Sequence, residues 1–256
     1  MSFIARRSKY DPIESAVNAS EIVSVTDKNR DYYCPGCSCL FRYRSEASNN
    51  RPAHFFKHGK SHEASCWMPY AESVSGDVTM VDLEGFSLDY FYQSILSSKE
   101  RNGEGTGIPR ERKQTTVQLR LTTIRNLYKF CCYYPNHFKI CDGIQVKDVF
   151  VGQKTAYLYT NYVRGIRLVE CKYHCYDSKK NSIYFKYPFS RREERTTALG
   201  VRVHFDSDDL YRHVRNRVFG QTAPVLLFAD WNMQDGYVCG EIKTNQQIVL
   251  LKDSRA

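Results

Sequence analysis

Hydrophobic positions along the chain change their rhythm twice. In the first 75 residues the pattern predicts short strands, at Ser2 to Ala5 and Ile22 to Thr26. From Val78 to about Asn136 the spacing becomes helical. Leu83, Phe86, Leu88, Phe91 and Ile95 recur every two to four positions, and Val117, Leu121, Ile124, Leu127 and Tyr128 repeat the habit. Between these two predicted helices Asn102-Gly-Glu-Gly-Thr-Gly107 is too glycine-rich for helix. It lacks the following Gly-Lys-Ser/Thr of a phosphate-binding loop. Arg110, Arg112, Lys113, Arg120, Arg125 and Lys129 read as a basic face on the second helix, which Pro135 ends.

From Ile144 onward the texture is β. Val146 to Val151, Thr155 to Tyr159, Ile166 to Tyr173, Ile183 to Tyr187 and Val201 to Phe205 are runs of Val, Ile, Tyr and Phe between turn residues. One helix follows, capped by Asp206 or Ser207, with Asp208 and Asp209 at its positive end and Leu210, Tyr211, Val214 and Val218 as its apolar stripe. Val225 to Trp231 and Gly240 to Leu251 then read as a closing hairpin around Asn232 to Gly236. Strands, one helix and a hairpin are the order of an OB-like barrel. The fold class expected is therefore α+β, in three parts: a small amino-terminal module (1–75), a helical middle (76–140) and a β-rich OB-like domain (141–256).

Composition is that of a globular protein, with no apolar run of about 18 residues to span a membrane. The start, Met1-Ser-Phe-Ile-Ala-Arg-Arg, lacks the apolar region of a secretory signal, so a cytoplasmic location is expected. The net charge of +9 is uneven: residues 143–256 hold 18 Lys and Arg against 12 Asp and Glu, the first 142 hold 19 against 16. A basic surface binds polyanions by neutralising phosphates. Nineteen tyrosines add rings with a polar tip, suited to stacking on unpaired bases. Candidate phosphate contacts are Arg42, Arg44, Lys57 and Lys60 in the first part and Arg212, Arg215 and Arg217 on the late helix.

The densest chemistry lies between residues 34 and 66: Cys34-Pro-Gly-Cys37, then His54-Phe-Phe-Lys-His58, His62 and Cys66. A Cys-x2-Cys knuckle aims two thiolates at one ion, and a structural zinc needs two further nitrogen or sulfur ligands. His54, His58, His62 and Cys39 compete for those places. The set expected is Cys34, Cys37, His58 and Cys66, with His54 as the alternate to His58. The metal would close a polar loop that buries too little apolar surface to fold alone. The remaining cysteines, including the Cys131-Cys132 pair, read as small reduced core residues.

Ile4-Ala5-Arg6, Tyr33-Cys34-Pro-Gly-Cys37, Pro52-Ala53-His54-Phe55, His58 and Cys66 together resemble the amino-terminal zinc module of competence protein CoiA-like proteins, over about the first 70 residues. The resemblance implies a metal-stabilised module attached to a DNA-handling domain in a bacterial or mobile-element protein. In that family a nuclease domain of the PD-(D/E)xK type follows. Leu168-Val169-Glu170-Cys171-Lys172 fits its acidic-x-Lys half, with Asp148 or Asp142 as the first acid. Asp148 and Glu170 would then bind Mg2+ and Lys172 would help position the attacking water. The expectation from the sequence is a zinc-containing nucleic-acid-binding protein. A metal-dependent nuclease, or an adaptor for a protein partner in a mobile-element or antiviral defence assembly, are the alternatives.

Overall fold

One thirteen-residue strand, shared between two sets of partners, organises the second half of the molecule. The computed structural model describes residues 4–45, 53–66, 81–97, 119–186 and 200–251, except positions 13–14, 64–65, 84, 135, 142, 153–154 and 160–161. The glycine-rich stretch 102–107, Arg110, Arg112, Lys113 and Asp142 therefore lie outside the described residues. Among those described, helices and strands alternate in an α+β arrangement, and no helix is long and apolar enough to cross a membrane.

At the amino-terminal end β1 (Ile4–Ala5) pairs antiparallel with β2 (Val17–Asn18). The strand expected at Ile22 to Thr26 is instead the approach to a short helix, α1 (Val25–Asn29). Ser24 decides the outcome, because its hydroxyl accepts the Asp27 amide at 3.0 Å and caps the turn. Three antiparallel strands follow, β3 (Tyr32–Tyr33), β4 (Leu40–Arg44) and β5 (His54–Lys57). Their core is Tyr32, Phe41 and Phe55, with the Tyr32 and Phe55 rings 4.8 Å apart.

Beyond them β6 (Val81–Asp82) lies parallel to β7 (Leu119–Arg120). Helix α2 (Leu88–Ser97) buries Leu88, Phe91, Tyr92 and Ile95, the stripe its spacing predicts. Helix α3 (Ile124–Tyr133), capped by Thr123, buries Ile124, Leu127 and Tyr128 but also Lys129, whose ammonium lies 5.8 Å from the centre of the Tyr133 ring. The basic face expected there is thus reduced: Lys129 is interior, and Arg125 donates to the Leu250 carbonyl at 3.0 Å.

A hairpin of β8 (Lys139–Cys141) and β9 (Ile144–Gln145) leads into one helical turn, α4 (Val146–Val149), and then β10 (Phe150–Val151). A strand over all of Val146 to Val151 is not formed, because the Asp148 carboxylate accepts the Gln145 amide at 2.9 Å and closes the turn. Ala156–Leu158, within the run expected as strand, is a 3-10 turn.

The remaining chain forms a closed five-stranded barrel. Its strands are β11 (Gly165–Asp177), β12 (Ser182–Lys186), β13 (Gly200–Phe205), β14 (Val225–Gln234) and β15 (Tyr237–Ile242). Going round the barrel the order is β11-β12-β13-β15-β14 and back to β11, with β13 and β15 parallel and every other pair antiparallel. The first half of β11, to Cys171, pairs with β14, and from Lys172 onward it pairs with β12, with an irregularity in that second ladder between Tyr173 and Cys175. Such a break bends a strand and lets one strand serve both sides of a closed sheet. Outside the ring, β10 adds in parallel beside Leu168 and Val169, and β16 (Ile248–Leu250) pairs with the start of β14.

Alternation sorts the side chains. Val169, Cys171, Ile183, Phe185, Val201, Val203, Leu227, Ala229, Trp231 and Val238 fill the interior. Helix α5 (Asp208–Val218), capped by Ser207, packs Tyr211, Val214 and Val218 against them. On the outside of β11 and β14, Leu168, Leu226 and Phe228 meet α2 and α3 in a second core that continues to Ile4 and Phe41. Glycine is required where Trp231 crosses β15, since a Cβ on Gly240 would fall 2.8 Å from the indole ring.

Candidate metal centre and barrel face

Backbone hydrogen bonds shape the knuckle. The Cys34 amide donates to the Cys39 carbonyl at 2.9 Å, and the Gly36 amide points at the Cys34 sulfur at 3.4 Å. Arg6, held by paired amide bonds to Tyr33, sends its guanidinium across the knuckle to the carbonyls of Cys34 (3.0 Å) and Cys37 (2.7 Å). On the other side His58 ends the β4–β5 ladder through a 2.9 Å bond from its amide to Leu40, and Gly59, at φ +81, turns the chain back.

That return brings His62 to the thiols. Cys34, Cys37, His62 and Cys66 form a cluster whose ligand atoms all lie within 4.8 Å of one another. Cys34 and Cys66 sulfurs are 3.6 Å apart, and the His62 Nδ1 stands 3.5 Å from Cys37 and 3.4 Å from Cys66. A tetrahedral ion with metal–sulfur bonds of about 2.3 Å and metal–nitrogen bonds of about 2.0 Å has edges of roughly 3.5 to 3.8 Å. The donor set therefore fits a metal ion in both chemistry and spacing. Phe41 fixes the imidazole from the side, edge-on at 5.7 Å.

The third ligand corrects the sequence expectation. His62 occupies the place expected for His58, whose side chain is exposed beyond the end of β5, while His54 is buried at the start of that strand. The usable signal was the His62-x3-Cys66 spacing, the counterpart of Cys34-x2-Cys37. Burial drives the Cys34 thiol well up, whereas bonds from Cys34 and Cys66 hold Cys37 well below the ordinary thiol range. Cys37 is thus the thiolate of the group, and a cation binding there would displace the protons of the other thiols.

The acidic-x-Lys residues are placed differently from one another. The Asp148 carboxylate caps α4. Glu170 is only 2% exposed, its carboxylate packed over Gly152, and Lys172 stands in solvent. Among the basic candidates, Arg42 is ion-paired with Asp31 at 2.9 Å and Arg44 lies over the Phe56 ring, while Lys57 and Lys60 are exposed. On α5, Arg212 is exposed, Arg215 lies 5.3 Å from the centre of the Tyr176 ring, and Arg217 donates to Asn245.

A second candidate site went unseen in the sequence. On the outer face of the barrel Tyr184 of β12, Arg202 of β13 and Tyr237 of β15 lie on three adjacent strands. The two rings meet edge to face at 5.6 Å, and the Arg202 guanidinium lies 5.5 Å from the centre of Tyr237. Gly200 makes room, because a Cβ there would fall 2.6 Å from the Tyr237 ring. Lys172 and Lys186 face each other across β11 and β12 at the edge of this platform, both exposed. Pairing of β12 with β13 and of β13 with β15 makes neighbours of positions 184, 202 and 237, which no linear pattern announces.

Compared with known proteins, the chain matches no family model, no curated protein and no solved structure.

Proposed function

We propose that this protein binds single-stranded nucleic acid on the outer face of its barrel, with an amino-terminal module held by a structural zinc ion. The observation that carries the reading is the Tyr184–Arg202–Tyr237 platform flanked by Lys172 and Lys186. Aromatic faces accept any base by stacking, worth about 1–3 kcal/mol per base, and the lysines supply the phosphate contacts. The closed five-stranded barrel with a helix between its third and fourth strands supports an OB-like reading, in which the second and third strands form the oligonucleotide surface. Here β12 and β13 hold those positions. This support is an analogy of fold.

The donors support zinc: three cysteines and one imidazole, clustered within 4.8 Å, suit a borderline-soft ion with no geometric demand of its own. Cys34, Cys37 and Cys66 are among the residues that carry the CoiA-like resemblance, which supports reading the module as metal-stabilised. Exposed Lys57 and Lys60 beside it extend the surface available to phosphates.

Fluorescence anisotropy with single-stranded and duplex DNA and RNA, across a salt series, tests the proposal. Single strands should bind more tightly than duplex, log K should fall linearly with log salt, and Tyr184→Ala with Tyr237→Ala should weaken binding at least tenfold. Affinity untouched by the double replacement would sink the reading.

A further inference from the structure

Beside the platform, α2 and the outer surface of β13, β14 and β15 enclose a groove of about 720 Å3. That is room for a small-molecule-sized group. Its floor is a polar ladder on β14. Asp230, Asn232 and Gln234 occupy alternate positions on one side of the strand, all exposed, and their side chains make no hydrogen bond or ion pair among the described residues. Glu241 at the rim is paired with Lys243 at 3.2 Å, so the uncompensated charge is that of Asp230.

His204 forms part of the wall. The Ser182 hydroxyl donates to the Lys180 carbonyl at 2.9 Å and so accepts from the His204 Nδ1–H, also at 2.9 Å. With Nδ1 carrying the proton, Nε2 is an acceptor. Desolvation, reinforced by the Arg202 cation, keeps the ring below its ordinary pKa and therefore neutral at pH 7. The groove thus offers acceptors at Asp230 and His204 and adaptable amides at Asn232 and Gln234. A phosphate would be repelled here, and a group rich in N–H donors attracted.

The groove is also in register with the platform: Cys239 of its lining pairs with Arg202, and Gln234 pairs with Tyr237. A strand stacked on the tyrosines can therefore turn one base into it. Of the four bases only guanine presents two adjacent donors, N1–H and N2–H, to a single carboxylate, with O6 beside them for an amide donor. Resting on the single-strand reading above, we propose that this groove takes one guanine base, read by Asp230 with Asn232 or Gln234 on O6. An exposed carboxylate without a protein partner at a floor of amides has a use in this role that it lacks in the fold.

Short labelled uridine strands carrying one central guanine, hypoxanthine or adenine, titrated by anisotropy, test it. Hypoxanthine lacks only the N2 amine. Guanine should bind about tenfold more tightly than hypoxanthine and adenine, and Asp230→Asn should bring that ratio to about one. A wild-type ratio near one, with the plain uridine strand still bound, overturns the guanine groove and leaves the barrel-face reading in place. A ratio that survives Asp230→Asn overturns it as well, and binding to no strand at all overturns both.

Discussion

The amino-terminal sheet has strands of two, five and four residues around a single knot of Tyr32, Phe41 and Phe55. In the barrel, strands of five to thirteen residues each contribute an inward row, and α5 packs against that interior. Sheets as small as the first are marginal in water. A metal ion at the Cys3His cluster would supply what its core lacks, whereas the barrel closes on itself. On that reading the two regions differ in what unfolds them: loss of an ion in one, loss of packing in the other.

The strongest way to break this comparison is to remove the metal. Chelation, or Cys66→Ser, should forfeit most of the apparent binding energy of a structural zinc, about 10–16 kcal/mol in small modules. Hydrogen exchange should then show residues 4–66 losing protection while β12, β13 and β15 keep theirs. Simultaneous loss in both regions would mean that the shared core from Ile4 to Leu251 makes them one cooperative unit. Next in size is Phe185→Ala, which empties a fully buried barrel position and should cost about 3–5 kcal/mol in urea unfolding, with metal content measured in the native protein unchanged.

Gly240→Val sharpens the comparison further. Its added carbons meet the Trp231 ring, so overpacking should lower barrel stability by about 1–3 kcal/mol without altering the metal centre. The smallest effect concerns pH. Because His204 titrates below its unfolded value of 6.5, the unfolded chain takes up the proton first as pH falls. The His204 contribution is therefore present above pH 6.5 and lost as pH drops through the folded pKa. Thermal melts between pH 7.5 and 5 should fall less steeply in His204→Asn, and equal slopes would show the ring to be inert.

Legibility in the sequence followed the range of the determining contacts. The α2 and α5 stripes and the Ser207 cap are local and are found where spacing places them. Runs of β-branched and aromatic residues announced the barrel strands, although β11 continues to Asp177 and β14 to Gln234, past their expected ends, and the strand expected from Gly240 to Leu251 divides into β15, which starts at Tyr237, and β16, around a 3-10 turn at Asn245–Gln247. Two helical turns were missed because single side-chain caps, Ser24 and Asp148, outweigh β-branched neighbours. At the metal centre the thiols were legible from spacing. His62 was hidden behind a turn at Gly59, which lets a histidine farther along the chain reach the ion. The Tyr184–Arg202–Tyr237 platform depends on parallel pairing of β13 with β15, a contact between distant segments that composition reports only as an excess of tyrosine and arginine.

Arg6 adds a matter of timing. Its clamp on the Cys34 and Cys37 carbonyls means that every part of the metal centre lies between residues 6 and 66. During synthesis the centre can therefore assemble as soon as residue 66 has left the ribosome, while β11 still has to wait for residues 225–231 before the barrel can close. The first quarter of the chain can be finished, with its candidate metal centre assembled, before the barrel face exists.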